Sequence, residues 1–192
     1  MYFDIAICII TYNRGKRALE NVENILKNIK KNFCVLVLNN GSNLGVEEYK
    51  RIEDLSKENS QLFYKRHDTN TQFYGNFRSC FDFNHSKYIM ILSDEDFVNI
   101  DGLDDILNDL KNYNNVAACR TSIEPHKDLI TPGNSYIYPN EYFMAGVSAL
   151  NGFSFFGNYV SGIIYNLELI KNTDLLNILD KNITLHKAYP HM

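Results

Sequence analysis

IAICIITYNR, residues 5–14, decides the fold. An unbroken apolar run rich in isoleucine predicts a strand from Ile5 to Tyr12 that is covered on both faces, because a strand with one wet face would alternate apolar and polar residues. Polar residues begin where that strand should end, at Thr11-Tyr12-Asn13-Arg14. Downstream, Leu19, Val22, Ile25, Leu26 and Ile29 fall on one helical stripe. A second buried strand follows at Cys34 to Asn40, stopped by Gly41-Ser42, then a polar helix over Val46 to Glu58 and a short strand over Gln61 to Lys65. Phe77, Cys80, Phe81 and Asn84 suggest a helix that leads into a fourth strand, Tyr88 to Ser93. Leu103, Ile106, Leu107 and Leu110 mark another helix, and Val116 to Cys119 a fifth strand.

This alternation predicts an α/β fold, a doubly wound and mainly parallel sheet with helices on both faces. After Arg120 the rhythm fails. Pro125, Pro132, Gly133 and Pro139 break the chain and aromatics replace the aliphatic periodicity, so the C-terminal third is expected to be irregular. A last strand at Ser161 to Tyr165 and a helix through Leu169 and Leu176 complete it. With no repeat and no low-complexity linker, residues 1–192 are expected to form one domain, and 192 residues suffice to bury a core without disulfides.

Composition excludes several classes of partner. The formal charge is −4 and no stretch is dominated by Lys and Arg, so nucleic acid is not expected. Lys27, Lys30 and Lys31 read as a solvent-facing helix C-terminus. Cys8, Cys34, Cys80 and Cys119 form no C-x-x-C pair, and three of them lie in apolar strand-like runs, which points to buried thiols in a reducing, cytoplasmic setting. Asp4 precedes the first apolar run and there is no basic leader, so no signal peptide is expected. Met144 to Tyr165 is apolar but broken by Asn151 and Asn158, and reads as buried loop and strand rather than as a transmembrane segment.

In open α/β sheets ligands bind beyond the carboxyl ends of the strands. Three polar clusters occupy those ends: Thr11-Tyr12-Asn13-Arg14, Asn39-Asn40-Gly41-Ser42 and Asp94-Glu95-Asp96. Carboxylates placed together after a buried strand repel one another unless a positive charge sits among them. Asp94 and Asp96 would project in the same general direction if the chain stayed extended. Two oxygen ligands with open positions suit Mn2+ or Mg2+ shared with substrate phosphates; the alternative is a solvated acidic loop capping the helix that begins near Asp101. Asn40 can pair with a base edge, or belong to an ordinary N-G-S turn. Thr11 and Tyr12 can touch a base or ribose or cap the helix near Gly15, and Arg14 can pair with phosphate or face solvent.

Taken together, IAICIITYNR, VLVLNNGS (residues 35–42) and GNFRSCFDFNHSKYIMILSDED (residues 75–96) resemble the N-terminal half of family 2 glycosyltransferases. The resemblance implies a GT-A fold, with residues 1–120 as the nucleotide-sugar-binding half and residues 121–192 as the acceptor side. It implies sugar transfer, usually with inversion, from a nucleotide-diphosphate sugar donor to a saccharide or lipid-linked saccharide acceptor. The spacing from Gly75-Asn76-Phe77 to Tyr88 to Asp94 is most similar to the abequosyltransferase-like branch, which builds capsule or lipopolysaccharide. Position by position, the resemblance puts Thr11 and Tyr12 in the nucleotide pocket, to which the adjoining Asn13 and Arg14 are added as candidates; Asn40 stands where many relatives have a uracil-contacting Asp, and Asn76 lies on the helix lining the donor site. Asp94 matches the first acid of a DxD motif, near ribose and metal, and Asp96 the principal metal ligand. Enzymes of this kind work in the cytoplasm, some against the inner face of the membrane.

Relatives usually draw their catalytic base from a late Glu-Asp pair. None occurs here, and His191 stands near the expected place. The chain stops just after it, so the reading expects a truncated form, or half of a site completed by another segment or subunit, with donor binding retained and transfer weak. Two other readings compete: a nucleotide-binding scaffold without transfer activity, and a sugar-phosphate nucleotidyltransferase. The second needs a Gly-rich basic loop after the first strand, and residues 11–17 do not supply one.

Overall fold

The computed structural model describes residues 1–113, 115–123, 141–155 and 159–181. The first strand, β1 (Phe3–Thr11), is flanked by β2 (Phe33–Asn39) and β4 (Ser86–Ser93), both parallel to it, and β3 (Leu62–Arg66) lies parallel outside β2. Between them run α1 (Gly15–Asn28), α2 (Val46–Glu58) and α3 (Gln72–Cys80), and α4 (Ile100–Asn112) follows β4. The remaining described elements are β5 (Ala118–Arg120), α5 (Val147–Phe155), β6 (Ile163–Asn166), α6 (Leu167–Lys171) and α7 (Leu175–Lys181). Strand order across the sheet is β3-β2-β1-β4-β6-β5.

Alternation along β1 explains why helices cover both faces. Ile5, Ile7 and Ile9 point to one side and pack with Ala18, Val22 and Ile25 of α1, Ile52 of α2, and Leu103 and Leu107 of α4. Ala6, Cys8 and Ile10 point to the other, against Phe77 and Cys80 of α3 and Leu167 and Ile170 of α6. Burying one such aliphatic side chain is worth about 1.5–3 kcal/mol, so the doubly covered strand is the fold's anchor.

The sheet is mainly parallel as expected, with a strand order that the sequence pattern does not address. β6 inserts antiparallel between β4 and β5, so the fifth strand of the sequence ends up at the edge. All four residues of β6 are buried, and such a pattern looks the same whichever way its neighbours run. Three expectations need correction. The helix expected through Leu169 and Leu176 is two, parted at Asn172-Thr173-Asp174, where the Thr173 hydroxyl accepts from the Leu175 amide. Met144 to Tyr165 is not buried loop: α5 lies within it, and Met144 and Val147 are largely exposed. Lys30 is not left to solvent, since it pairs with Asp101 and Asp104 of α4 and ties the α1–β2 turn to that helix. Among the described residues no helix is long and apolar enough to cross a membrane.

Candidate functional site

The parallel strands bring three loops to one edge of the sheet, and hydrogen bonds stitch them together. The Asn40 amide donates to the Thr11 carbonyl at 2.9 Å, continuing the β1–β2 ladder past its last pair. Asn13 holds a left-handed backbone, φ 57°, which suits Asn better than most residues. Its amide donates to Ser42 Oγ at 2.8 Å, while its own Oδ1 accepts from the amides of Asn43 and Leu44 at 2.9 and 3.1 Å. Just beyond, the backbones of Gly15 and Gly45 touch so closely that a Cβ on Gly15 would lie 2.4 Å from the Gly45 carbonyl oxygen. Asn13 thus clamps the β1–α1 loop to the β2–α2 loop.

Asp94 closes the β4 side of this edge. It is buried, with 4% of its surface exposed. Thr11 Oγ1 donates to its Oδ2 at 2.7 Å, and the half-exposed Arg14 guanidinium donates to its Oδ1 at 3.1 Å and to Glu95 Oε2 at 2.9 Å. Burial pushes the Asp94 carboxyl above the ordinary range, and the bonds from Thr11 and Arg14 oppose that rise without cancelling it. Arg14 in turn is held more firmly protonated, chiefly by its hydrogen bond to Asp94.

Asp96 takes other partners. The chain turns after Ser93, with the Asp96 amide donating back to the Ser93 carbonyl, so the extended geometry that would aim both acids one way does not hold. Asp94 reaches toward β1, while Asp96 reaches toward the segment entering β6. There Tyr159 donates to its Oδ1 at 2.5 Å and Ser161 to its Oδ2 at 2.6 Å. The Ser161 oxygen also accepts from the Ser93 amide, which fixes its hydroxyl proton on Asp96. Burial, then the bond to Asp96, raises the Tyr159 phenol well above its usual range. On the other flank Asn21 of α1 donates to the Asp96 carbonyl at 2.7 Å.

Asn40 is buried and fully engaged within the protein. Its Nδ2 donates to Asn70 Oδ1 and to the Gln72 carbonyl, each at 3.0 Å, and its Oδ1 accepts from the amide and hydroxyl of Thr71. It therefore organises the loop before α3, where Gln72 carries a positive φ of 61°. Asn39 is similarly occupied, donating to Tyr64 and accepting from the Ser42 amide. Asn76 lies on α3 and donates to the Leu38 carbonyl at 3.3 Å, while its Oδ1 is buried without a partner at hydrogen-bonding geometry. Tyr12 is exposed at the rim. His191 lies outside the described residues.

Sequence reasoning missed Tyr49, Asn21, Tyr159 and Ser161. Asn21 left a clue, since an Asn on the buried stripe of α1 requires a partner. Thr11 is no helix cap, because its hydroxyl is spent on Asp94.

The donor set around the acids suits a hard divalent cation better than a soft one, being carboxylate and hydroxyl oxygen with no thiolate or imidazole among the described residues. Asp96 fits such an ion best. Its charge has no cationic partner among the described residues, whereas Arg14 already answers Asp94. No group of three or more His, Cys, Asp or Glu side chains converges among the described residues. A cation bound here would thus complete its shell with ligand oxygens and water.

An open, doubly wound sheet whose polar loops gather at the carboxyl ends of its strands, with acids following the fourth, defines an α/β ligand-binding domain of the GT-A type. The chain belongs to glycosyl transferase family 2, whose domain matches residues 6–171. Among solved structures it is similar to S. aureus TarS 1-349 (16% identity, TM-score 0.66, covering 90% of this chain and 50% of that one). The same TarS fragment in complex with UDP-GlcNAc matches at 16% identity and TM-score 0.67, over 90% of this chain and 48% of that one. The mannosyltransferase PcManGT from Pyrobaculum calidifontis, in complex with GDP-Man and Mn2+, matches at 11% identity and TM-score 0.60, over 89% and 46%. At such identities the likeness is one of fold, and the chain spans about half the length of these structures. No curated protein sequence matches it.

Proposed function

We propose that this domain binds a nucleotide-diphosphate sugar across the carboxyl ends of β1, β2 and β4 and passes the sugar, with inversion, to a saccharide or lipid-linked saccharide. Synthesis of a surface polysaccharide such as capsule or lipopolysaccharide is the setting that the abequosyltransferase-like spacing supports. One observation carries the reading. Asp94 is kept buried and held by Thr11 and Arg14 although burial disfavours its charge, and Asp96 beside it has hydroxyl partners but no cationic side chain as partner among the described residues. Acids retained at such a cost, at the strand ends where ligands bind, mark a functional site.

The proposed roles are these. Thr11, Tyr12, Asn13 and Arg14 form the wall of the nucleotide pocket on the β1 side, and Asn40 shapes its β2 side through residues 70–72. The Arg14 guanidinium offers a fork that matches phosphate oxygens. Asp96, oriented by Tyr159 and Ser161, would hold Mn2+ or Mg2+ with Asp94 nearby. A divalent cation there supplies offsetting charge for the leaving diphosphate. The acceptor hydroxyl must lose a proton to a base, for which His191 is the candidate, since a neutral imidazole takes a proton near pH 7.

The test is release of free nucleoside diphosphate from a panel of UDP-, GDP-, dTDP- and CDP-sugars, with Mn2+ and an oligosaccharide acceptor. Release from at least one donor, lost in Asp96→Ala, is the expected result. Tight binding with no release would favour the scaffold reading, and neither binding nor release would overturn the proposal.

A further inference from the structure

Tyr49 of α2 is a buried aromatic, with only 3% of it exposed. Its ring packs in the same core as Ile52, but its hydroxyl stands between two site loops. The Arg14 amide donates to it at 3.1 Å, and it lies 2.7 Å from Thr11 Oγ1. Distance alone leaves the donor in that second contact open, but its neighbours decide it. A peptide N–H can only donate, so the Tyr49 oxygen accepts from Arg14. At the other end an ionised carboxylate can only accept, so the Thr11 proton goes to Asp94 Oδ2 at 2.7 Å. Thr11 has no second proton, and Tyr49 must donate to it. The chain runs one way, from the Arg14 amide through Tyr49 and Thr11 to Asp94.

We propose that Tyr49 is a positioning residue of the donor site: by donating to Thr11 it commits the Thr11 proton to Asp94 and so fixes the carboxylate. This role rests on the proposed function, in which Asp94 meets the nucleotide. Arg14 cannot replace it, because its half-exposed guanidinium is shared between Asp94 and Glu95. Without the phenol hydroxyl, Thr11 is free to turn its proton elsewhere and the Arg14 amide loses its acceptor.

Tyr49→Phe keeps the ring in the core and removes only the hydroxyl. The first readout needs no ligand: amide hydrogen exchange at Arg14 should quicken about tenfold, with the β1 and β4 amides unchanged. The second is affinity for nucleoside diphosphate by calorimetry, in the wild-type background and in Thr11→Val. Tyr49→Phe should weaken binding about three- to tenfold in the first and less than about twofold in the second, since Thr11 is the side chain that carries the Tyr49 hydroxyl's proton bond on to Asp94, and only the backbone contact with Arg14 remains without it. A merely structural role would give equal losses in both backgrounds, and that result overturns the proposal. Unchanged exchange at Arg14 overturns it as well. A wild-type chain that binds no nucleoside diphosphate sinks the proposed function and the positioning role with it. Wild-type binding that Tyr49→Phe leaves intact sinks the positioning role alone.

Discussion

Gly15→Ala tests whether the contact between the β1–α1 and β2–α2 loops holds the site together. A Cβ there would lie 2.4 Å from the Gly45 carbonyl oxygen and 3.0 Å from its Cα. Non-bonded heavy atoms settle nearer to about 3.5 Å, so the two backbones must part by about 1 Å. Overpacking of this kind costs about 1–3 kcal/mol. Replacing Gly in a helix recovers up to about 1 kcal/mol of propensity, and less at a first helical position such as this one. The net expectation is a loss of about 1–2 kcal/mol, or roughly 2–8 °C in melting temperature for a chain of this size. Gly102→Ala is the control with opposite sign. A Cβ there meets nothing closer than the Asn99 side chain at 3.7 Å, so that variant should gain about 0.5–1 kcal/mol. Urea unfolding with an unchanged m-value reads both. Because the displaced loop carries Asn13 and Arg14, nucleotide affinity should fall in Gly15→Ala as well. If Gly15→Ala proves as stable as wild type, or more stable than Gly102→Ala, the inferred clamp is wrong.

Three further outcomes are expected. Asn40→Asp removes both donors that face Asn70 Oδ1 and the Gln72 carbonyl and sets a carboxylate against them, costing about 2 kcal/mol or more; equal urea midpoints would contradict the packing role. Tyr159→Phe removes one of the two hydroxyls that orient Asp96 and should weaken Mn2+ binding to the ligand-free protein about tenfold by calorimetry, whereas an unchanged affinity denies the orientation. For Asp94 the folded carboxyl is raised above its unfolded value, so the native state holds the proton more tightly. That contribution is present below the unfolded value and lost as pH rises through the folded one, so wild type should lose stability relative to Asp94→Asn on going from pH about 4 to neutrality. A difference that is flat or rises with pH would contradict the burial argument.

The fold was largely written in the periodicity. Runs such as CVLVLNN and YIMILS admit little besides covered strands, and the stripe of Leu19, Val22, Ile25, Leu26 and Ile29 reads as a helix facing them, with Val22 and Ile25 fully buried and the other three packed at the edge of the core. Strand order beyond β4 was not legible, because the four buried residues of β6 carry no mark of direction or neighbour. The site was half legible. Its loops announced themselves by following strands, but which carboxylate meets which partner depended on a turn after Ser93 that leaves no trace in the composition. Asn40 illustrates the limit: its residue type permits base recognition, yet its side-chain oxygen and nitrogen are both engaged by residues 70–72. Tyr159 and Ser161 come from a segment without readable periodicity, and only the three-dimensional structure brings them to Asp96.

The central claim, a cation-assisted nucleotide-diphosphate site built on the β4 acids, is tested most directly by binding alone. UDP, GDP, dTDP and CDP are titrated into wild type and Asp96→Ala by calorimetry, with and without Mn2+, and each variant's melting temperature is followed. At least one nucleotide should bind more tightly with Mn2+, and at 100 times its dissociation constant should stabilise the wild-type fold by about 2.7 kcal/mol. Asp96→Ala should remain folded and lose the Mn2+-dependent part. Absence of any nucleotide binding in the wild type, or a full Mn2+-dependent increment in Asp96→Ala, would contradict the account.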